Sequence, residues 1–183
     1  MSNKRQPSRF LPLLLLPCLL FAEIVAASTC NPHLQRWKPN SIYADYRDGT
    51  IMDMQTGLMW QACSVGQQYR DGQCRGEPQK HNYPVVVEAA ATANHGNGSY
   101  GYTDWRLPSI AELGTLVEKA CHSPAINSEV FPSTGAGWYW SVTVYAVKDR
   151  MAWGVDFAVG RSMARERESQ GYIRLVRYAR SER

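Results

Sequence analysis

The sequence predicts a single disulfide-bonded α+β domain, on three observations. Strand-like runs come first, two helical segments follow and strand-like runs close the chain, which is the segregated order of an α+β fold. Four cysteines follow a leader-like N-terminus, an even count that reads as two disulfides in an exported chain. Ser109-Ile110-Ala111-Glu112 has the spacing of a capping box, which places one helix start without reference to anything else.

The leader is residues 1–27. Lys4, Arg5 and Arg9 form a basic region, and Phe10 to Ala22 is an apolar run, broken by Pro12 and Pro17, that is short for a membrane span. Ala26, Ala27 and Ser28 supply small residues for cleavage, so the expectation is a signal peptide followed by one domain over 28–183. Cys18 follows Leu-Leu-Pro and lacks the small preceding residue of a lipid-anchor site. No later stretch is long and apolar enough to span a bilayer. The expected destination is the periplasm, the cell surface or the medium. Roughly 155 residues remain, enough for one domain with a full core.

Cys30, Cys63, Cys74 and Cys121 permit three pairings. The short, polar, turn-rich loop between Cys63 and Cys74 favours their local closure, leaving Cys30 to tie the N-terminus to Cys121.

The formal charge is +4, and the leader carries much of it. Its distribution is more telling. From position 161 onward seven arginines (161, 165, 167, 174, 177, 180 and 183) face three glutamates, an excess able to attract a polyanion. No nucleic-acid partner and no cofactor are expected.

Along the domain, DYRDGTIMDMQTGLMWQAC reads as short strands around two turn signals, Asp48-Gly49 and Gln55-Thr56-Gly57. The Cys63–His81 stretch is polar and reads as irregular. NYPVVVEAAATANHG then places Pro84 at a first helical position, with an alanine-rich body and Gly96 past the end. After a glycine-bearing loop, Pro108 holds Leu107 extended and Ser109 caps a second helix. Ile110, Leu113, Leu116 and Val117 recur at helical spacing and carry that helix to near Ala120. From Trp138 the pattern turns to strands: WYWSVTVY, MAWGVDFAV, the polar SMARERES and YIRLVRY, read together as an antiparallel meander. In the second run Met151, Trp153, Val155, Phe157 and Val159 fall on one face, expected to be core. Gly154 and Ala158 leave room on the other face for a bulky group such as Trp138 or Trp140.

Six segments, TGLMWQ, YGYTDWRLPSIAEL, HSPAINSEVFP, WYWS, AWGVDFAVG and YIRLVR, resemble in order and spacing the domain named after the C-terminal region of the Legionella collagen-like adhesin. The resemblance spans most of residues 28–183. It implies a C-type-lectin-like fold, in a superfamily that includes the formylglycine-generating enzymes, where a segment similar to Arg106-Leu107-Pro108-Ser109 opens a helix. In the founding member the domain is associated with binding sulfated glycosaminoglycans. This chain has no Gly-X-Y stalk, so a collagen-driven trimer is not implied.

Asp104-Trp105-Arg106 is adjacent to the capped helix and, with Pro108, Ser109 and Glu112, reads as a brace for its entry. Calcium-dependent sugar binding is not expected. Glu77-Pro78-Gln79 lies before the first helix with glutamine in the asparagine position, and the companion Trp-Asn-Asp is absent. His33, His81, His95 and His122 show no metal-ligand spacing, and disulfide pairing leaves no thiolate, so an enzyme is not expected.

The expected function is therefore adhesin-like binding of glycans or an anionic polysaccharide, or else assembly with a surface protein as a component of a surface appendage. Trp138, Tyr139, Trp140 and Trp153 are the candidates for stacking on sugar rings. Arg161, Arg165, Arg167 and Arg174 are the candidates for bidentate contact with sulfate or carboxylate.

Overall fold

The structure, a computed structural model, describes residues 28–179. The leader, Arg180 and Arg183 lie outside the described residues.

The fold is α+β, and its sheets are small. Strands β2 (Tyr43–Asp45), β3 (Thr50–Asp53) and β4 (Leu58–Gln61) form two consecutive hairpins at the predicted turns. At the first, Asp48 Oδ1 accepts from the Thr50 backbone N–H at 2.8 Å, and at the second Asp53 Oδ1 accepts from the N–H of Gln55 at 2.9 Å. These acids close each turn through their own side chains.

Strands β8 (Trp138–Val144), β9 (Met151–Asp156) and β10 (Arg161–Glu166) form a second antiparallel sheet with β9 central. Two small ribbons complete the set. Strand β1 (Thr29–Cys30) pairs with β7 (Cys121–His122), and β5 (Gln68–Arg70) pairs with β6 (Gln73–Arg75). Both ribbons carry a disulfide, Cys30–Cys121 and Cys63–Cys74, which is the expected pairing.

Helix α1 (Tyr83–Ala93) begins one residue before Pro84, and Asn94 ends it just ahead of Gly96. It buries Tyr83 and Val86. Helix α2 (Ile110–Gly114) starts at the predicted capping box, with Ser109 and Glu112 making both reciprocal bonds.

Four expectations need correction. Helix α2 is a single turn and a half, ending at Gly114 rather than near Ala120. Leu113 and Leu116 are both fully buried without a continuous helix between them, and Val117 turns away to bridge Ile126. The spacing of apolar residues was a burial signal that a sharp turn satisfies as well as a helix does. The Cys63–His81 stretch is not irregular throughout, because Asp71-Gly72 closes the β5–β6 hairpin with both residues at positive φ, 52° and 76°.

The third concerns YIRLVRY, which is not a further strand of the β8–β10 meander. Tyr172 hydrogen-bonds Trp138 and Trp140 of β8, at 2.8 and 3.0 Å, and then the chain crosses to the other sheet. There Val176–Tyr178 forms β11 beside β4, giving the order β11-β4-β3-β2. The fourth is the facing of β9. Ala152 and Gly154, on the face expected to receive a bulky aromatic, are buried, whereas Met151 and Trp153, on the face expected to be core, are half-buried and Val159 is 57% exposed. Both faces of this sheet are covered, so alternation does not separate core from solvent.

One face, through Trp138, Trp140 and Ala152, packs with Tyr83 and Val86 of α1. The other, through Tyr139, Val155 and Phe157, packs with Leu113 and Leu116. The space expected at Gly154 is taken by the Trp138 ring, 2.6 Å from where a Cβ would stand, and by the Tyr139 carbonyl.

Two glycine substitutions should therefore move stability in opposite directions. Gly154→Ala forces a shift against backbone and a buried indole, and is expected to cost about 2 kcal/mol or more. Gly114→Ala, in α2 with open space around it and no positive φ, is expected to stabilise by up to about 1 kcal/mol. Urea unfolding midpoints at unchanged m-value check both.

Candidate functional site

The predicted aromatic–arginine surface is largely interior. Trp138 is 3% exposed, and Tyr139, Trp140 and Arg174 are fully buried, so none presents a ring face or a guanidinium to a ligand. The Trp138 and Trp140 rings meet edge-on at 5.4 Å, and Trp140 meets Tyr83 at 5.4 Å. Trp140 Nε1 donates to the His81 carbonyl at 2.9 Å. Tyr139 points to the opposite face, where its hydroxyl lies 2.7 Å from Ser64 Oγ. Burial raises its pKa, with the Arg174 charge opposing the shift.

Arg174 is held by uncharged acceptors. Its Nη1 donates to the carbonyls of Gln61, at 2.8 Å, and Ala62, and its Nη2 donates to Thr134 Oγ1 at 2.8 Å. The guanidinium lies 5.1 Å from the Phe131 ring centroid. Desolvation lowers its pKa, and the Tyr139 oxygen opposes that. A buried cation with these partners braces the backbone around Gln61 and Ala62.

The remaining candidates do not converge. Trp153 is half-buried against Tyr145, with ring centroids at 5.5 Å. Its cross-strand partner is Ala164, whereas Arg165 pairs with Ala152, so Trp153 and Arg165 project from opposite faces. Arg165 is bound to Asp156 at 3.1 Å and lies over Trp138 at 4.8 Å. Arg167 lies over Tyr83 at 5.1 Å. Arg161 is exposed at the start of β10.

Around Asp104-Trp105-Arg106 the side chains do converge. Trp105 is buried, and Asn94 at the end of α1 brackets its backbone, accepting from its N–H and donating to its carbonyl, both at 2.8 Å. Asp104 accepts from Arg177 Nε at 2.6 Å, and that guanidinium lies 3.9 Å from the Tyr102 ring centroid. Arg106 exchanges backbone hydrogen bonds with Val176 at 2.9 and 3.0 Å, and its side chain forks onto Glu112 at 2.8 and 2.7 Å. Glu112 also accepts from the Ser109 N–H at 2.8 Å. These bonds tie the entry of α2 to β11.

Above this brace lies a groove of about 440 Å³, within the usual range for small-ligand sites. Val87 and Ala90 of α1, Leu107, and Val142 of β8 make its apolar side. Arg106, Ser109, Glu112 and Tyr178 make its polar side. Tyr178 is 63% exposed, with the Arg106 guanidinium 4.5 Å from its ring centroid. Hydrogen bonding from Arg106 holds the Glu112 pKa down at about 2, against the opposing effect of burial. Glu112 in turn raises the pKa of Arg106. At neutral pH the pair is fully charged and neutral overall, with donors and acceptors side by side against an aromatic ring. Sequence reasoning missed Tyr178 because a tyrosine at the end of an apolar strand carries no mark of exposure. It also placed Arg106 and Glu112 in a brace without seeing that they line a groove.

Among the described residues, no group of three or more His, Cys, Asp or Glu side chains is placed to hold a metal ion. No helix there is long and apolar enough to cross a membrane.

The depressed Glu112 pKa sets a pH dependence. Because the folded value, about 2, lies below the ordinary 4.5, the associated stability is present above pH 4.5 and is lost as pH falls toward 2. Glu112→Gln should remove on the order of 2 kcal/mol at pH 7 and flatten the stability profile in that window. Chemical denaturation of both proteins across that range, with Arg106→Gln giving the same flattening, checks it.

No curated protein matches the chain. The family model described as the Lcl C-terminal domain matches residues 49–177, which takes in all six resembling segments, the brace and every groove-lining residue except Tyr178. With well over half of its length matched, the chain belongs to the Lcl C-terminal domain family.

Proposed function

We propose that this chain is an exported, adhesin-like binding domain of C-type-lectin-like architecture, not an enzyme, and that it recognises glycans at the groove between α1 and α2. The observation that carries this reading is the exposed Tyr178 ring beside the Arg106–Glu112 pair and opposite an apolar wall. A pyranose is amphipathic in the same sense. Its C–H face stacks on an aromatic ring, and vicinal hydroxyls donate to a carboxylate and accept from a guanidinium.

The burial and pairing of most of the described C-terminal arginines favour a neutral glycan at this groove over a polyanion. Arg174 is buried, Arg177 is paired with Asp104, Arg165 with Asp156, and Arg167 is half-buried against Tyr83. Charge that is paired or buried contributes little to long-range attraction.

A second reading, assembly with a surface protein, is favoured by the exposed valines of the groove wall and of β8. Val87, Val142 and Val144 are 52%, 50% and 50% exposed, an apolar margin suited to a protein contact.

A glycan array probed with the full chain and with Tyr178→Ala separates the two. The expected result is binding to a limited glycan set that Tyr178→Ala weakens about tenfold, with the thermal midpoint unchanged within about 2 °C. No glycan bound by the parent protein, or affinity unchanged in the variant, overturns the glycan reading.

A further inference from the structure

Of the six tryptophans, Trp60, Trp105, Trp138 and Trp140 are buried and Trp153 is half-buried, but Trp37 is 60% exposed. It stands in the N-terminal segment, outside the family match. The loop that carries it is held firmly from within. Glu118, with no exposed surface, accepts from the N–H groups of Trp37, Lys38 and Ala120 at 3.2, 2.8 and 2.9 Å. The buried Asn127 side chain donates to the Lys38 carbonyl at 2.8 Å. On the other flank, Arg36 donates to Cys30 Sγ at 2.9 Å, beside the Cys30–Cys121 disulfide. A buried carboxylate and a buried amide fix a backbone whose indole nevertheless faces out. A core role for the ring would have turned it inward, and a mobile loop would not need these partners.

The next residue along from Glu118 supplies a cation to the same ring. Lys119 is exposed, and its Nζ lies 3.8 Å from the Trp37 centroid over one face. The exposed area therefore belongs to the other face and the edge. Arg36 is engaged by Glu129 at 3.6 Å and by the disulfide sulfurs, which leaves Lys119 as the cation at the ring.

We propose that Trp37 and Lys119 form a second saccharide site, independent of the groove, that takes a hexuronate unit of an acidic polysaccharide. The C–H face of the sugar stacks on the indole face opposite Lys119, and the exposed lysine swings from its place over the ring to the ring edge to meet the carboxylate. The rigid loop has already given up its freedom, so little ordering cost opposes binding. A single compact ammonium suits one carboxylate per ring, whereas sulfate clusters are better matched by forked guanidinium groups that this patch does not offer. A membrane surface is disfavoured, because one ring and one lysine bury little apolar area and supply a single positive charge.

The test uses the full chain with unesterified oligogalacturonate, its methyl ester, heparin and phosphatidylglycerol vesicles. Acrylamide quenching of tryptophan fluorescence is the readout, since Trp37 is the most accessible indole. Oligogalacturonate should protect the accessible tryptophan, and methyl esterification should weaken binding roughly three- to tenfold. Trp37→Ala, whose binding is read by isothermal titration calorimetry because the reporter indole is gone, should lose affinity about tenfold or more. Lys119→Gln should match the loss caused by the ester and Lys119→Arg should recover part of it, while Tyr178→Ala should leave binding unchanged. Both side chains are exposed, so a thermal midpoint within about 2 °C of the parent shows that each variant folds. Equal affinity for the methyl ester, persistence of binding in Trp37→Ala, loss in Tyr178→Ala, or tighter binding to heparin or to the vesicles overturns the proposal.

Discussion

The structure depends on one segment that hydrogen-bonds to both main sheets in succession. Tyr172 pairs with β8, Ile173 accepts from the Val65 N–H, Leu175 accepts from the Gln61 N–H, and Val176 pairs with both Trp60 and Arg106. Neither sheet has more than four strands, and neither could bury two faces alone. The crossing segment joins them into one body, and it carries Arg174 into the centre. That guanidinium satisfies carbonyls of Gln61 and Ala62, where β4 ends and the Cys63 loop begins. Without it, those acceptors would face an apolar interior.

Elsewhere, carboxylates and amides do the work that long helices and strands do in larger folds. Glu118 holds the loop around Trp37, Glu112 holds the entry of α2, Asp104 holds Arg177, and Asn94 holds Trp105. Each is a side chain that satisfies backbone groups or a guanidinium outside its own turn of chain, near in sequence for Glu112 and distant for Glu118 and Asp104. Loops fixed in this way can present side chains outward at low entropic cost. Both proposed sites, the groove beneath Tyr178 and the indole of Trp37, are by-products of such bracing.

The same bracing explains why the aromatic wealth of the chain is a poor guide to its surface. Trp138, Tyr139 and Trp140 lie on a strand with a core on each side, so all three are consumed by packing. Among the rings left outside, Tyr178 and Trp37 sit at a strand end and in a loop, where no second layer covers them.

Local chemistry was legible in the sequence wherever a residue acts on its own neighbourhood. The Asp48-Gly49 and Thr56-Gly57 turns, the proline-led start of α1, the Ser109–Glu112 box and the short Cys63–Cys74 loop each depend on residues a few positions apart, and each appears as read. The length of α2, the destination of Val176–Tyr178 and the facing of β9 were not legible, because each is decided by which distant layer covers a segment. An apolar period says that residues are buried without saying against what, and an arginine-rich run says nothing about which acids or rings will meet it. The sequence alone determined an α+β, doubly bridged domain of a recognisable family. Only the tertiary structure decided that Arg174 goes inside, that Arg106 and Glu112 line a groove, and that Trp37 stays out, since those outcomes rest on contacts between residues far apart in the chain.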